Sequence, residues 1–240
     1  MNGNALLSIR NLSASYYAGH TGFLLRRKAK PILNSISLEI GRGEIFGLVG
    51  ESGCGKTTLG KCILGIIDYE GDILINGRER KKNPSFRERR EGAFDVQAVF
   101  QNPGASLNPA KTVGWIMEEP LRAHKLGSKA ERLIEVDRML DLVGLDSSYK
   151  KRRPDELSSG QKQRVSIASA LILNPGLLIA DEPVSALDVS VGAQILNLFR
   201  ELNRKLELSM LFISHNLDLV SYLCGRVAVM RNGKIEEISG

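Results

Sequence analysis

Long apolar runs are missing from this chain. No stretch approaches the roughly 18 residues that a membrane-spanning helix needs, so any link to a bilayer is expected to run through another protein. The opening MNGNALLSIR has no basic segment ahead of a long apolar core. No signal peptide is expected on that ground, and the chain is expected in the cytosol. Cysteine is scarce: Cys54, Cys62 and Cys224 form no CxxC pair, which argues against a zinc or iron–sulfur site and against a disulfide framework. Aromatic residues make up only 5% of the sequence, so aliphatic side chains must dominate the core. Internal repeats and low-complexity segments are absent as well.

The 240 residues suffice for one large α/β domain, or for one domain with a smaller lobe. The hydrophobic fraction of 42% and charged fraction of 25% are those of an ordinary globular protein. The net charge of +6 gathers in short clusters: Arg26, Arg27, Lys28 and Lys30; Arg78, Arg80, Lys81 and Lys82; Lys150, Lys151, Arg152 and Arg153. A nucleic-acid surface is one reading of such runs, but solvated loops, some facing anionic lipid head groups, are the favoured one.

Periodicity predicts strands over 6–13 and 32–40, with a glycine-containing basic loop between them. A buried strand over 44–49 leads through glycines into a helix over 56–64. Further strands are expected at 72–75 and 96–100, with a loop or exposed helix over 78–91. From about 103 to 154 the pattern turns helical, and Leu133, Val136, Leu140 and Val143 form one apolar stripe. Helices at 161–173, 193–206 and 216–223 then alternate with strands at 177–180, 210–213, 227–230 and 235–238. Such alternation implies a parallel sheet with helices on both faces.

Residues 50–57 read GESGCGKT, which fits G-x-x-x-x-G-K-[ST] and lies between a buried strand and a helix. A triphosphate needs this chemistry. Successive amides of Ser52, Gly53, Cys54, Gly55, Lys56 and Thr57 can wrap a phosphate, and the glycines let the backbone come close. The helix N-terminus adds partial positive charge. Lys56 would bridge β- and γ-phosphates, and the Thr57 hydroxyl would ligate Mg²⁺. Gly50, Glu51 and Thr58 complete the candidate ATP-binding set.

Residues 177–183 read LLIADEP, four apolar residues running into two carboxylates. Ligands gather at the carboxyl ends of parallel strands. Asp181 is thereby a candidate to hold Mg²⁺, and Glu182 to orient and deprotonate the attacking water. A strand end followed by a solvated turn is the plainer alternative for Asp-Glu-Pro alone.

The segment LSSGQ at 157–161, followed by KQRVSIASAL, resembles the signature motif of ATP-binding-cassette (ABC) ATPases, and the resemblance extends over nearly the whole chain. It implies an α/β fold of the P-loop NTPase type: a RecA-like parallel-sheet core, an antiparallel β lobe and an α-helical subdomain. One domain over 1–240 is expected, with 1–102 and 155–240 forming the β lobe and core, and about 103–154 the helical part. By the same resemblance Tyr16 stacks on adenine, Gln101 is the Q-loop glutamine near Mg²⁺ and the γ-phosphate, Asp188 ends the D-loop SALD, and His215 is the switch histidine. Ser158, with the amides of Ser159 and Gly160 ahead of a helix and with Gln161 beside them, would cap the ATP of a partner cassette. LSSGQ read alone is a helix N-cap. Ser159 departs from the usual glycine; function is expected to survive, and whether the site it completes is weaker stays open.

The text VFQNPGASLNPAKTVG resembles the peptide and nickel importer branch, second ATPase type. That implies two permease subunits, a second ABC ATPase (copy or cousin) and, indirectly, an extracytoplasmic binding protein, with the chain peripheral on the cytoplasmic face of the cell membrane. The cargo stays open among peptides, nickel and metal chelates. A groove over 105–115 would receive the permease. The rivals are a cytosolic ABC ATPase acting on nucleic acid or ribosomes, an exporter motor, and a nucleotide sensor without turnover. No nucleic-acid partner is expected, because the coiled coils, zinc modules or second cassette of such proteins are missing here.

Overall fold

A computed structural model describes residues 5–17, 29–82 and 84–240. The chain divides into two units, Met1–Arg89 with Leu211–Gly240, and Arg90–Met210.

In the first unit two long strands, β1 (Ala5–Tyr17) and β2 (Ala29–Gly41), pair antiparallel. The register sets Leu7 against Ile40 and Ile9 against Leu38, and all four are buried. Each such aliphatic side chain contributes about 1.5–3 kcal/mol on burial, so the apolar alternation fixes the pairing. β3 (Ile45–Gly50) is apolar and buried along its length until Gly50, and α1 (Lys56–Ile63) follows five residues later. β4 (Glu70–Ile75) joins the free edge of β1, and β5 (Arg78–Glu79) extends the sheet to the order β2-β1-β4-β5. The region 78–91, expected as loop or exposed helix, thus divides into a two-residue strand and a helix, α2 (Phe86–Gly92). Asn76 and Gly77 both take positive φ, which turns the chain tightly enough for Arg78 to pair back with Ile75.

In the second unit β6 (Val96–Val99) and β7 (Leu177–Asp181) pair in parallel. Between them run α3 (Pro103–Ser106), α4 (Val113–Ala123), α5 (Lys129–Leu142) and α6 (Ser159–Leu171). α5 begins with a reciprocal cap: the Glu131 amide donates to Ser128 Oγ (3.3 Å) and the Ser128 amide to Glu131 Oε2 (2.6 Å). Its buried face is Val136, Met139, Leu140 and Val143. Leu133, expected in that stripe, is 37% exposed: it lies one turn ahead at the stripe's edge, and Met139 completes the face instead. α7 (Val189–Leu206) closes the unit.

The chain returns to the first unit through β8 (Ser209–Ser214) and α8 (Leu217–Leu223). β9 (Arg226–Arg231) pairs parallel with β3, Leu48 opposite Ala228. β10 (Lys234–Ser239) departs from the expected parallel order and runs antiparallel to β9. Only Asn232 and Gly233 separate them, both at positive φ. Two such residues make a hairpin, because a parallel crossover needs a dozen or more. Among the described residues no helix is long and apolar enough to cross a membrane.

Candidate nucleotide site

The loop after β3 is shaped by what its glycines permit. A Cβ on Gly50 would stand 2.2 Å from the Met230 carbonyl oxygen of β9, so only glycine lets the strand end here. Gly55 is the N-cap of α1 at φ 113°, a conformation that favours glycine. Helices commonly seat Ser, Thr, Asp or Asn there, whose side chain satisfies a first-turn amide. Gly55 provides no such acceptor. The first-turn amides therefore remain available to an external anion, at the positive end of the helix dipole.

Lys56 is only 6% exposed. Its Nζ donates to the carbonyls of Gly50 (2.7 Å) and Glu51 (2.9 Å) and lies 3.9 Å from Cys54 Sγ. A buried ammonium whose partners are uncharged carbonyls favours an anion beside it. Glu51, Ser52, Gly53 and Thr57 are exposed at the mouth of the loop, while Cys54 and Thr58 are buried beneath. A Cβ on Gly53 would meet nothing within 4 Å, so the backbone there faces open space. The residues present fit a nucleotide phosphate, and the exposed Thr57 hydroxyl is chemically suited to Mg²⁺. The same unit carries His215, directly after β8 and exposed, so it is not a core histidine. The Ser214 hydroxyl accepts from the Asn216 amide (3.1 Å), and Asn216 Oδ1 caps α8, so His215 is held between two fixed neighbours. Tyr16 is placed by its backbone opposite Lys30, but its ring, with the stacking expected of it, lies outside the described residues. So do Arg26, Arg27 and Lys28 of the first basic cluster.

In the second unit the parallel register sets Val99 of β6 beside Ala180 of β7. Gln101 and the pair Asp181–Glu182 therefore leave the same ends of neighbouring strands, Gln101 exposed and Asp181 buried. Glu182 takes φ 52°, the left-handed region, although it carries a full side chain. That costs about 1–2 kcal/mol. The turn is held by Ser185, whose amide (3.3 Å) and hydroxyl (3.0 Å) both donate to the Glu182 carbonyl. Nothing in the sequence marks this strain. Asp188 is the N-cap of α7, exposed, and its carboxylate caps no amide.

The signature segment is a helix start, and its first residues need correcting. Ser158 is the N-cap of α6, while Ser159 and Gly160 lie in its first turn rather than ahead of it. Ser158 Oγ accepts from the Gln161 amide (3.3 Å) and the Ser158 amide donates to Gln161 Oε1 (3.0 Å). The Ser158 hydroxyl keeps its hydrogen for an outside acceptor. Ser159 is exposed and Gly160 is buried. A Cβ on Gly160 would stand 2.6 Å from Val191 Cγ1, so α7 packs directly onto this glycine. No sequence motif points to Tyr149, whose hydroxyl accepts from Gln161 Nε2 (2.9 Å) and so orients the signature glutamine. A separation of 12 residues gives no periodic signal for that contact. The side chain of Ala105, in the expected permease groove, is outside the description. Trp115 is half-buried, with Lys111 Nζ 4.8 Å and Arg122 Cζ 4.6 Å from its ring centre.

The ABC transporter family model matches residues 33–185. Oligopeptide transport ATP-binding protein AppF of Bacillus subtilis is 42% identical over 242 residues, covering 100% of this chain and 73% of that protein. Dipeptide transport ATP-binding protein DppF of Lactococcus lactis is 44% identical, covering 97% of this chain and 74% of that protein. Among solved structures, the dimeric ATP-binding cassette MJ0796 bound to ADP and Pi matches with a TM-score of 0.83 and 26% identity over 97% of both chains. The cbiO1 protein of Clostridium perfringens, part of the ABC transporter complex cbiONQ, matches with a TM-score of 0.84 and 26% identity, over 98% of this chain and 88% of that one.

Proposed function

Since the chain belongs to the ABC transporter family, we propose that it is the ATP-binding and ATP-hydrolysing subunit of a peptide importer. The observation that carries this reading is the loop at 50–58: a buried Lys56 ammonium on neutral carbonyls, ahead of a helix whose N-cap has no side chain. The loop amides, Lys56 and Thr57 bind the triphosphate. Thr57, Gln101 and Asp181 are the residues that would hold Mg²⁺, which when bound offsets phosphate charge. Glu182 takes the proton from the attacking water, and His215 holds that water or the γ-phosphate. Ser158, Ser159 and Gly160 cap the nucleotide of a second ABC ATPase subunit, and Asp188 lies beside that joint.

The relatives named above transport oligopeptides and dipeptides, which favours peptides over nickel or chelates as cargo. Permease subunits in the cell membrane and an extracytoplasmic binding protein are the further partners, with this chain on the cytoplasmic face. The test is Lys56→Ala assayed by calorimetry with ATP and by phosphate release. Binding is expected to weaken by at least about a hundredfold, from loss of a charge-assisted contact to phosphate, and turnover is expected to vanish. Wild-type binding and turnover in that variant would overturn the reading.

A further inference from the structure

A cleft of about 320 Å³ lies wholly within the second unit, and none of its lining residues is among those assigned above to the nucleotide. Its walls come from the end of α5, the middle of α6 and one face of α7, with Asp141, Arg164, Gln194, Leu198, Glu201 and Lys205 among the lining residues. That volume is at the lower end of the roughly 300–1,000 Å³ of small-molecule sites.

The charges in it are unevenly matched. Glu201 and Lys205, one turn apart on α7, neutralise each other at 2.7 Å. Arg164 donates through Nη1 to the Val143 carbonyl (2.6 Å), which closes the end of α5 and fixes one arm of the guanidinium. That bond leaves the rest of its donor fork for other acceptors. Asp141, three residues before Gly144 at the same helix end, is exposed. Among the described residues, neither Arg164 nor Asp141 has a partner of opposite charge, although both line one cleft. A cation and an anion that share a cleft without touching each other match a ligand carrying both charges. Leu198 adds an apolar side chain to the lining, and Gln194 an amide.

We infer that this cleft binds a small zwitterion of the amino-acid or short-peptide class, its carboxylate on Arg164 and its ammonium on Asp141. Arg164 offers a planar fork that matches a carboxylate, which favours this orientation. Such a site shares no residue with the nucleotide set and would report cytosolic peptide or amino acid to this subunit.

Alanylalanine titrated into the full chain, followed by calorimetry and ligand-observed NMR, tests it. Saturable binding at one site is expected. N-acetyl-alanylalanine and alanylalanine amide each lack one charge and are expected to bind at least about tenfold more weakly, the loss of one charge-assisted contact. Asp141→Asn, on the exposed surface, is expected to reproduce the first loss and Arg164→Gln the second. Arg164→Gln also removes the α5 closure, so Asp141→Asn with unchanged ATP affinity is the decisive variant. Absence of saturable binding by the wild-type chain overturns the inference, as does equal affinity for the three ligands or undiminished affinity in Asp141→Asn. None of these outcomes touches Lys56 or nucleotide binding, so the two readings fail independently.

Discussion

Glu182 holds a left-handed backbone at φ 52° directly after the buried carboxylate of Asp181. Side chains rarely adopt that region without a reason, and strain of this kind clusters where function requires a fixed direction. Replacing Glu182 with Gln keeps size and polarity but removes the carboxylate proposed as the base. ATP affinity is expected to hold while phosphate release falls by about 10²–10⁴-fold, the usual loss of a general base. Unchanged turnover in that variant would take the role from Glu182. The strain has its own signature. Glu182→Gly should be more stable than Glu182→Ala by about 1 kcal/mol, because glycine tolerates this φ and alanine does not. Thermal melts of the two variants measure it, and equal midpoints would mean that the turn relaxes in solution.

At the joint between α6 and α7, Val191 leaves no room for a side chain on Gly160. Gly160→Ala forces a methyl into Val191 Cγ1 and should cost about 1–3 kcal/mol, as overpacking does. Val191→Ala in the same chain should recover most of that loss, and a double-mutant cycle by urea unfolding reads the coupling. Additive effects would place the clash elsewhere. A second element-level effect lies at the end of α4. His124 stacks edge-on against Phe94 at 4.7 Å, and burial first, then the Arg90 guanidinium, pushes its pKa below the usual imidazole value. Arg90 itself is tied to the Ala123 carbonyl at 2.7 Å. A depressed folded-state pKa means that the folded chain prefers neutral His124. The stabilisation is therefore complete above the unfolded value near 6.5 and is lost as pH falls through the lower folded value. Melts between about pH 7.5 and 5 should show a fall in stability that shrinks in His124→Gln. An identical fall in both chains would remove His124 from the account.

At the scale of the molecule, what was legible in the sequence were the features carried by local periodicity. The long apolar alternations of β1 and β2, the buried runs of β3 and β7, and the helix after GESGCGKT are all legible to within about four residues, because each follows from local burial, of one face or of both. Contacts that follow no local period are not legible: Val191 under Gly160, Tyr149 on Gln161, or, within one loop, the Lys56 ammonium folded back on two carbonyls. The antiparallel turn of β10 is readable from Asn232-Gly233, a hairpin dipeptide that an argument from strand and helix alternation alone leaves unused. Ser159 links these scales. It is exposed in the first turn of α6, the helix start proposed to cap a partner's nucleotide, and adds a hydroxymethyl group there. If a second cassette closes over the nucleotide, ATP should convert the Glu182→Gln chain from 26.3 kDa to about twice that mass in light scattering. Ser159→Gly should then lower the ATP concentration required, since it removes bulk while keeping the amide that faces the phosphate. A Ser159→Gly chain that assembles no more readily, in the same Glu182→Gln background, would show that the serine is accommodated and that its departure from glycine carries no penalty.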